Sequence, residues 1–113
     1  MMNIAIIAEN SHYRSSLKTA INQIDDLNVV FDAEDFDIPA KTDFSQIQIL
    51  IMDFKYYKSY KILALRYPQV KIYILCDDAE SYILENVLID IPVKNHISKM
   101  SNKSELANIL KLN

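Results

Sequence analysis

Glycine is missing altogether from the 113 residues, where average usage would supply about eight. Phosphate-cradling loops of the GxGxxG or Walker type need glycine for positive φ and close backbone approach. Nucleotide binding by those devices is therefore excluded. Turns must rest instead on Asn, Asp and the three prolines. A single cysteine, Cys76, rules out an internal disulfide and a cysteine-based zinc site. Arginine occurs only at Arg14 and Arg66, and the net charge is −3. A nucleic-acid surface carries a cationic excess, so the chain is not expected to hold DNA or RNA by itself. The longest unbroken apolar runs, Ile4 to Ala8 and Ile72 to Cys76, are five residues long, far short of the ~20 of a membrane span. Met1-Met2-Asn3 carries no basic leader or cleavage pattern, so a cytoplasmic protein without membrane contact is the expectation.

Half of the residues are apolar and 24% are charged, the balance of a globular domain. No repeat or low-complexity linker divides residues 1–113, which read as one domain. Asn3–Ala8 is apolar without a helical period and predicts a strand buried on both faces. A helical stripe comes next at Tyr13, Leu17, Ala20, Ile21 and Ile24, with Asn10 or Ser11 available as its cap. Leu27–Phe31 is the next strand, and residues 33–46, broken by Pro39, predict only a short or irregular helix. Ile47–Asp53 returns to the β pattern. A second helical stripe runs through Tyr56, Tyr60, Leu63, Ala64 and Tyr67 and stops at Pro68. Val70–Cys76 is a strand, and Asp77-Asp78 stand as caps of a helix over Ala79–Leu88. After Pro92 come a short strand, Asn95–Ser98, and a last helix, Lys103–Leu112, opened by the capping pattern Asn102…Glu105.

Strands alternating with helices predict a doubly wound α/β domain with a five-stranded parallel sheet. Its ligand site belongs at the carboxyl ends of the strands. In the order 2-1-3-4-5, Glu9, Asn10 and Asp53 converge there and Lys99 approaches from the adjoining edge. Two carboxylates and a lysine suit a hard cation with a phosphoryl group.

These residues resemble the receiver domain of bacterial two-component response regulators, over essentially the whole chain. Asp53 in Ile-Leu-Ile-Met-Asp matches the phosphoacceptor, and Lys99 in His-Ile-Ser-Lys matches the phosphoryl-binding lysine. The stretch Tyr67–Tyr82 and the run Ser98-Lys99-Met100-Ser101 resemble the LuxR-type receivers in particular. The resemblance implies Glu9, Asn10 and Asp53 as ligands of Mg²⁺, with Cys76 and Lys99 around the phosphoryl group. Departures accompany it. Glu9-Asn10 stands where the family carries two aspartates, so one negative charge is lost and the metal site is expected to be weak or absent. Cys76 replaces a Thr or Ser hydroxyl with a weak donor.

The expectation is therefore an atypical, non-enzymatic receiver that regulates through protein–protein contact or homodimerisation, with a sensor kinase or another regulatory protein as partner. It needs no cofactor, and Mg²⁺ only if the phosphorylation site is live. Candidate apolar contacts are Tyr82, Ile89, Ile91 and Leu112. A receiver phosphorylated on Asp53 is the alternative, and a small-molecule-binding flavodoxin-like domain is a third. LuxR-type regulators usually continue into a DNA-binding domain, so a receiver excised from a longer regulator is one expectation and a single-domain protein the other. Other residues have blander readings. Lys55, Lys58 and Lys61 fit the solvated face of a helix, Cys76 an inert buried thiol, and His12 and His96 lack any metal-ligand pattern.

Overall fold

The computed structural model describes residues 1–35, 44–86 and 91–112. Most of the predicted irregular segment 33–46 therefore lies outside the described residues, as does the end of the helix predicted to reach Leu88. The strands are β1 (Met2–Ile7), β2 (Leu27–Ala33), β3 (Ile49–Asp53), β4 (Lys71–Cys76) and β5 (His96–Ser98). They form one sheet in the order β2-β1-β3-β4-β5, parallel at every pairing. The helices are α1 (Ser11–Asn22), α2 (Tyr60–Arg66), α3 (Asp78–Asn86) and α4 (Lys103–Leu112). This is the doubly wound architecture expected from the alternation of periods.

Each central strand is buried on both faces because its neighbours satisfy its backbone while helices cover both sides. Ile4, Ile6, Ile49, Ile51, Tyr73 and Leu75 point to one face, where Leu17 and Ile21 of α1 and Leu106 and Leu110 of α4 pack on them. Ala5, Ile7, Leu50, Met52, Ile72 and Ile74 point to the other, against Leu84 of α3 and the half-buried Tyr60, Leu63 and Ala64 of α2.

On the edge strand, the β1–β2 register shifts between Ile4 and Ala5, which pair with Val29 and Phe31. The unpaired Val30 is exposed. That one extra residue reverses the facing of the rest of β2, as a bulge does. Val29 packs with α1, whereas Phe31 and Ala33 face the opposite layer. Asp32 consequently meets α1, where Arg14 Nε is 3.1 Å from Oδ2 and Lys18 Nζ 3.1 Å from Oδ1.

Local signals set most helix starts. Asn10 caps α1, its Oδ1 accepting from Tyr13 N–H at 2.9 Å. Asp77 and Glu80 exchange bonds of 2.8 and 2.9 Å at the start of α3, and Asn102 and Glu105 do the same at α4 with 2.8 and 3.0 Å. These are capping boxes in which each partner satisfies a free N–H. Residues 54–59 depart from the expected helix. They form a 3₁₀ turn, Phe54–Ser59, kinked at Tyr56 (φ −102°, ψ 15°) before α2 begins at Tyr60. Asp53 precedes this turn without a side-chain capping bond, its Oδ2 accepting from the Glu9 N–H, and Tyr56 Oη donates to the Glu34 carbonyl. Phe54 stacks on Tyr57 at 5.1 Å.

One interface candidate is corrected here. Ile91 is only 5% exposed and belongs to the core beneath α3, so it offers no surface contact. Its apolar character serves the layer between sheet and helix. Ile89 lies outside the described residues, and Leu112 closes α4. Tyr82 stands out from α3, 65% exposed. No described helix is long and apolar enough to cross a membrane.

Candidate functional site

Parallel pairing brings the ends of β1, β3, β4 and β5 to one edge, and there Asp53 meets residues far from it in sequence. Its Oδ2 accepts from the Glu9 backbone N–H at 2.9 Å. Its Oδ1 is 4.0 Å from Lys99 Nζ, with 12% of the Asp53 side chain exposed. Lys99 comes directly after β5 and is fixed by its own N–H, which donates to the Cys76 carbonyl at 3.0 Å. Its ammonium lies between Asp53 and Glu80, the latter at 3.7 Å. Lys99, expected to approach from the adjoining edge, is paired with Asp53. Glu9 is not a partner of Lys99.

Glu9 is instead paired with Lys55, whose Nζ donates to Oε2 at 2.9 Å. That bond holds the Lys55 ammonium above its ordinary value and the charge of Glu9 reinforces it. Lys58 and Lys61 are exposed, as a solvated face predicts, but Lys55 belongs to this edge. Asn10, implied as a metal ligand, spends its side-chain oxygen on the first turn of α1. The capping role expected of it is realised.

Cys76 is buried on the α3 face, its thiol 3.7 Å from the Ile97 carbonyl. Burial pushes the thiol up, hydrogen bonding from Ser81 pulls it down, and the carboxylates of Glu80 and Asp77 add to the rise. That environment disfavours the thiolate, which is the reactive form. His12 is exposed. His96 is half-buried, with Nε2 3.2 Å from the Ile91 carbonyl and a buried Nδ1 that finds no partner among the described residues. No group of three or more His, Cys, Asp or Glu with metal-binding geometry occurs among the described residues.

Residues absent from the sequence-derived set complete the edge. Tyr13 is a core-stripe position by periodicity, yet its phenol is pushed up to about 12, first by burial and then by the negative charge of Asp53 and of Cys76. Tyr13 and Lys99 both line a cleft of about 300 Å³ between α1 and the start of α4. Glu80, a capping residue by spacing, also receives Lys99. Lys55 carries one usable signal, its place two residues after Asp53. Nothing local marks Tyr13 as a neighbour of Asp53 or Glu80 as a partner of Lys99.

No protein-family model and no curated protein matches the sequence. Solved structures do. The RcsB response regulator of Salmonella typhimurium is similar with a TM-score of 0.79 and 23% identity, over 98% of this chain and 58% of that one. RcsB from Salmonella enterica serovar Typhimurium bound to promoter P1flhDC in the presence of the phosphomimetic BeF3- gives 0.81 and 21%, over 98% and 59%. The response regulator ChrA of a heme-sensing two-component system gives 0.74 and 17%, over 97% and 55%. The likeness is one of fold, that of response-regulator receivers. The chain spans less than three fifths of each of these neighbours' length.

Proposed function

We propose that the protein is an atypical receiver that acts in signal transduction by contacting other proteins or a second copy of itself, without ordinary Mg²⁺-dependent phosphorylation. The observation that carries this reading is the commitment of the edge residues to one another. Glu9 is paired with Lys55, Asn10 caps α1, and Cys76 stands where the family places a hydroxyl. The donor set does not fit a divalent cation, which needs several oxygens free of competing cations and enough negative charge to replace lost hydration. The receiver fold shared with RcsB and ChrA supports the signalling role, and a cytoplasmic location accords with that role. Dimers of RcsB on DNA occur among the neighbours, and homodimerisation is the mode we assign to this chain. Tyr82 and Ile83 of α3 are its exposed apolar contacts.

Intact-mass spectrometry after incubation with acetyl phosphate and Mg²⁺ tests the pocket, and we expect no adduct. A stoichiometric phosphoryl adduct that disappears in Asp53→Asn would overturn the reading. Sedimentation at tens of micromolar tests the mode of action, with dimers expected for the wild type and monomers for Tyr82→Glu. A second reading, phosphorylation on Asp53, is favoured by one observation. Lys99 retains its place 4.0 Å from Oδ1, where a cation would meet the oxygens of a transferred phosphoryl group.

A further inference from the structure

Glu9 and Asp53 are brought side by side by backbone geometry, the N–H of the first donating to the carboxylate of the second at 2.9 Å. Carboxylates gathered at one edge repel one another unless cations compensate them. Each has one within this chain: Lys99 at 4.0 Å from Asp53 and Lys55 at 2.9 Å from Glu9. The Lys55 ammonium is delivered from the same strand end as Asp53, on the 3₁₀ turn that begins at Phe54. It also lies 5.7 Å from the centroid of the Tyr56 ring, within the range of a cation–π contact.

We propose that Lys55 is a tethered cation that occupies Glu9 in place of a divalent metal, so that the edge is charge-compensated by the chain itself. The proposal deepens the reading above and rests on it for the identification of Glu9 and Asp53 as the pocket's acidic pair. The ammonium acts by competition. Both Lys55 and Glu9 are 57% exposed, and an exposed ion pair is weak and screened by solvent. A divalent ion must nevertheless displace or repel that charge to reach Glu9, and the penalty grows with the ion's own charge. Removing the ammonium therefore frees the Glu9 carboxylate while Lys99 stays on Asp53, whereas arginine preserves the compensation.

The test is Mn²⁺ titration of the full chain, monitored by paramagnetic broadening of the backbone amide signals of Glu9, Asn10 and Asp53. Lys55→Ala is expected to tighten Mn²⁺ binding at these residues on the order of 3–10-fold over wild type. Lys55→Arg should behave as wild type, and the double variant Lys55→Ala/Asp53→Asn should lose the gain. The exposed position of Lys55 lets its single variants fold, and the dispersion of the same spectra verifies folding of these and of the double variant. An unchanged affinity in Lys55→Ala, or an equal gain in Lys55→Arg, would overturn the proposal. Either result leaves the expectation of no phosphoryl adduct untouched, since mass spectrometry tests it separately. An adduct in the wild type would instead remove the reading on which the proposal rests.

Discussion

Arg14 joins three elements, and its removal has a calculable cost. Nη1 donates to the Ala8 carbonyl at 2.6 Å, just before Glu9, and Nε donates to Asp32 on the edge strand. The guanidinium is 17% exposed and the carboxylate 26%, so both bonds are partly shielded. A charge-assisted bond contributes about 1.5–3 kcal/mol and partial solvation trims that, so Arg14→Ala should cost about 2 kcal/mol. For a domain of this size that corresponds to a Tm lower by about 8 °C. Lys18 meets the same carboxylate but is 44% exposed, and Lys18→Ala should cost no more than about 0.5 kcal/mol. A pH series supplies the second arm. Burial by itself would raise Asp32, but the hydrogen bonds from Lys18 and Arg14 outweigh it and hold the carboxyl below its ordinary range. A folded value below the unfolded one contributes stability that is present above the unfolded value and lost as pH falls through the folded one. The stability gap between wild type and Asp32→Asn should thus stay level near neutrality and close below about pH 4. Urea unfolding of the four proteins measures both arms. Equal losses in Arg14→Ala and Lys18→Ala, or a gap that persists unchanged into acid, would refute the argument.

Alkaline spectrophotometric titration should show less phenolate forming above about pH 11 in Tyr13→Phe than in wild type, because the Tyr13 phenol ionises at about 12. Its contribution to stability is complete below the unfolded value near 10 and is lost as pH rises toward the folded one; identical titration curves would count against the placement of Tyr13. Cys76 should react with a maleimide only on unfolding, since the thiol is buried and pushed up; rapid labelling of the native protein would contradict that. Asp26 adopts φ 72°, a conformation that costs a residue with a Cβ more than it costs glycine. Asp26→Gly should therefore leave stability unchanged or raise it by up to about 1 kcal/mol, and Asp26→Val should lower it, as thermal unfolding will show.

Much of the fold is legible from neighbouring residues alone. Buried parallel strands need uninterrupted apolar runs, and Ile4–Ala8 and Ile72–Cys76 supply them wherever they sit in the chain. Helix starts are equally local: Asn10, Asp77 and Asn102 bond N–H groups three residues ahead, a distance set by helical geometry and nothing else. Asp53 and Lys99 are legible as members of one edge because strand order can be reasoned from the alternation of strands and helices. The helix expected to run through Tyr56 fails in its first turn, since periodicity does not report that Asp53 is unavailable as a cap. Ile91 reads as a surface contact because it is apolar, and apolarity does not distinguish a contact face from a core layer.

Composition and periodicity, both properties of short stretches, determine the class of fold, the absence of glycine-dependent nucleotide loops, and which strand ends carry acid and base. The pairings that give the edge its chemistry depend on register across tens of residues. The Glu9–Lys55 ion pair spans 46 positions and the bond from Glu9 to Asp53 spans 44. The single extra residue at Val30 reverses the facing of Asp32. Such contacts exist only once the sheet has assembled, because a side chain's partner is set by the strand packed beside it, and no local pattern encodes which residue that strand presents.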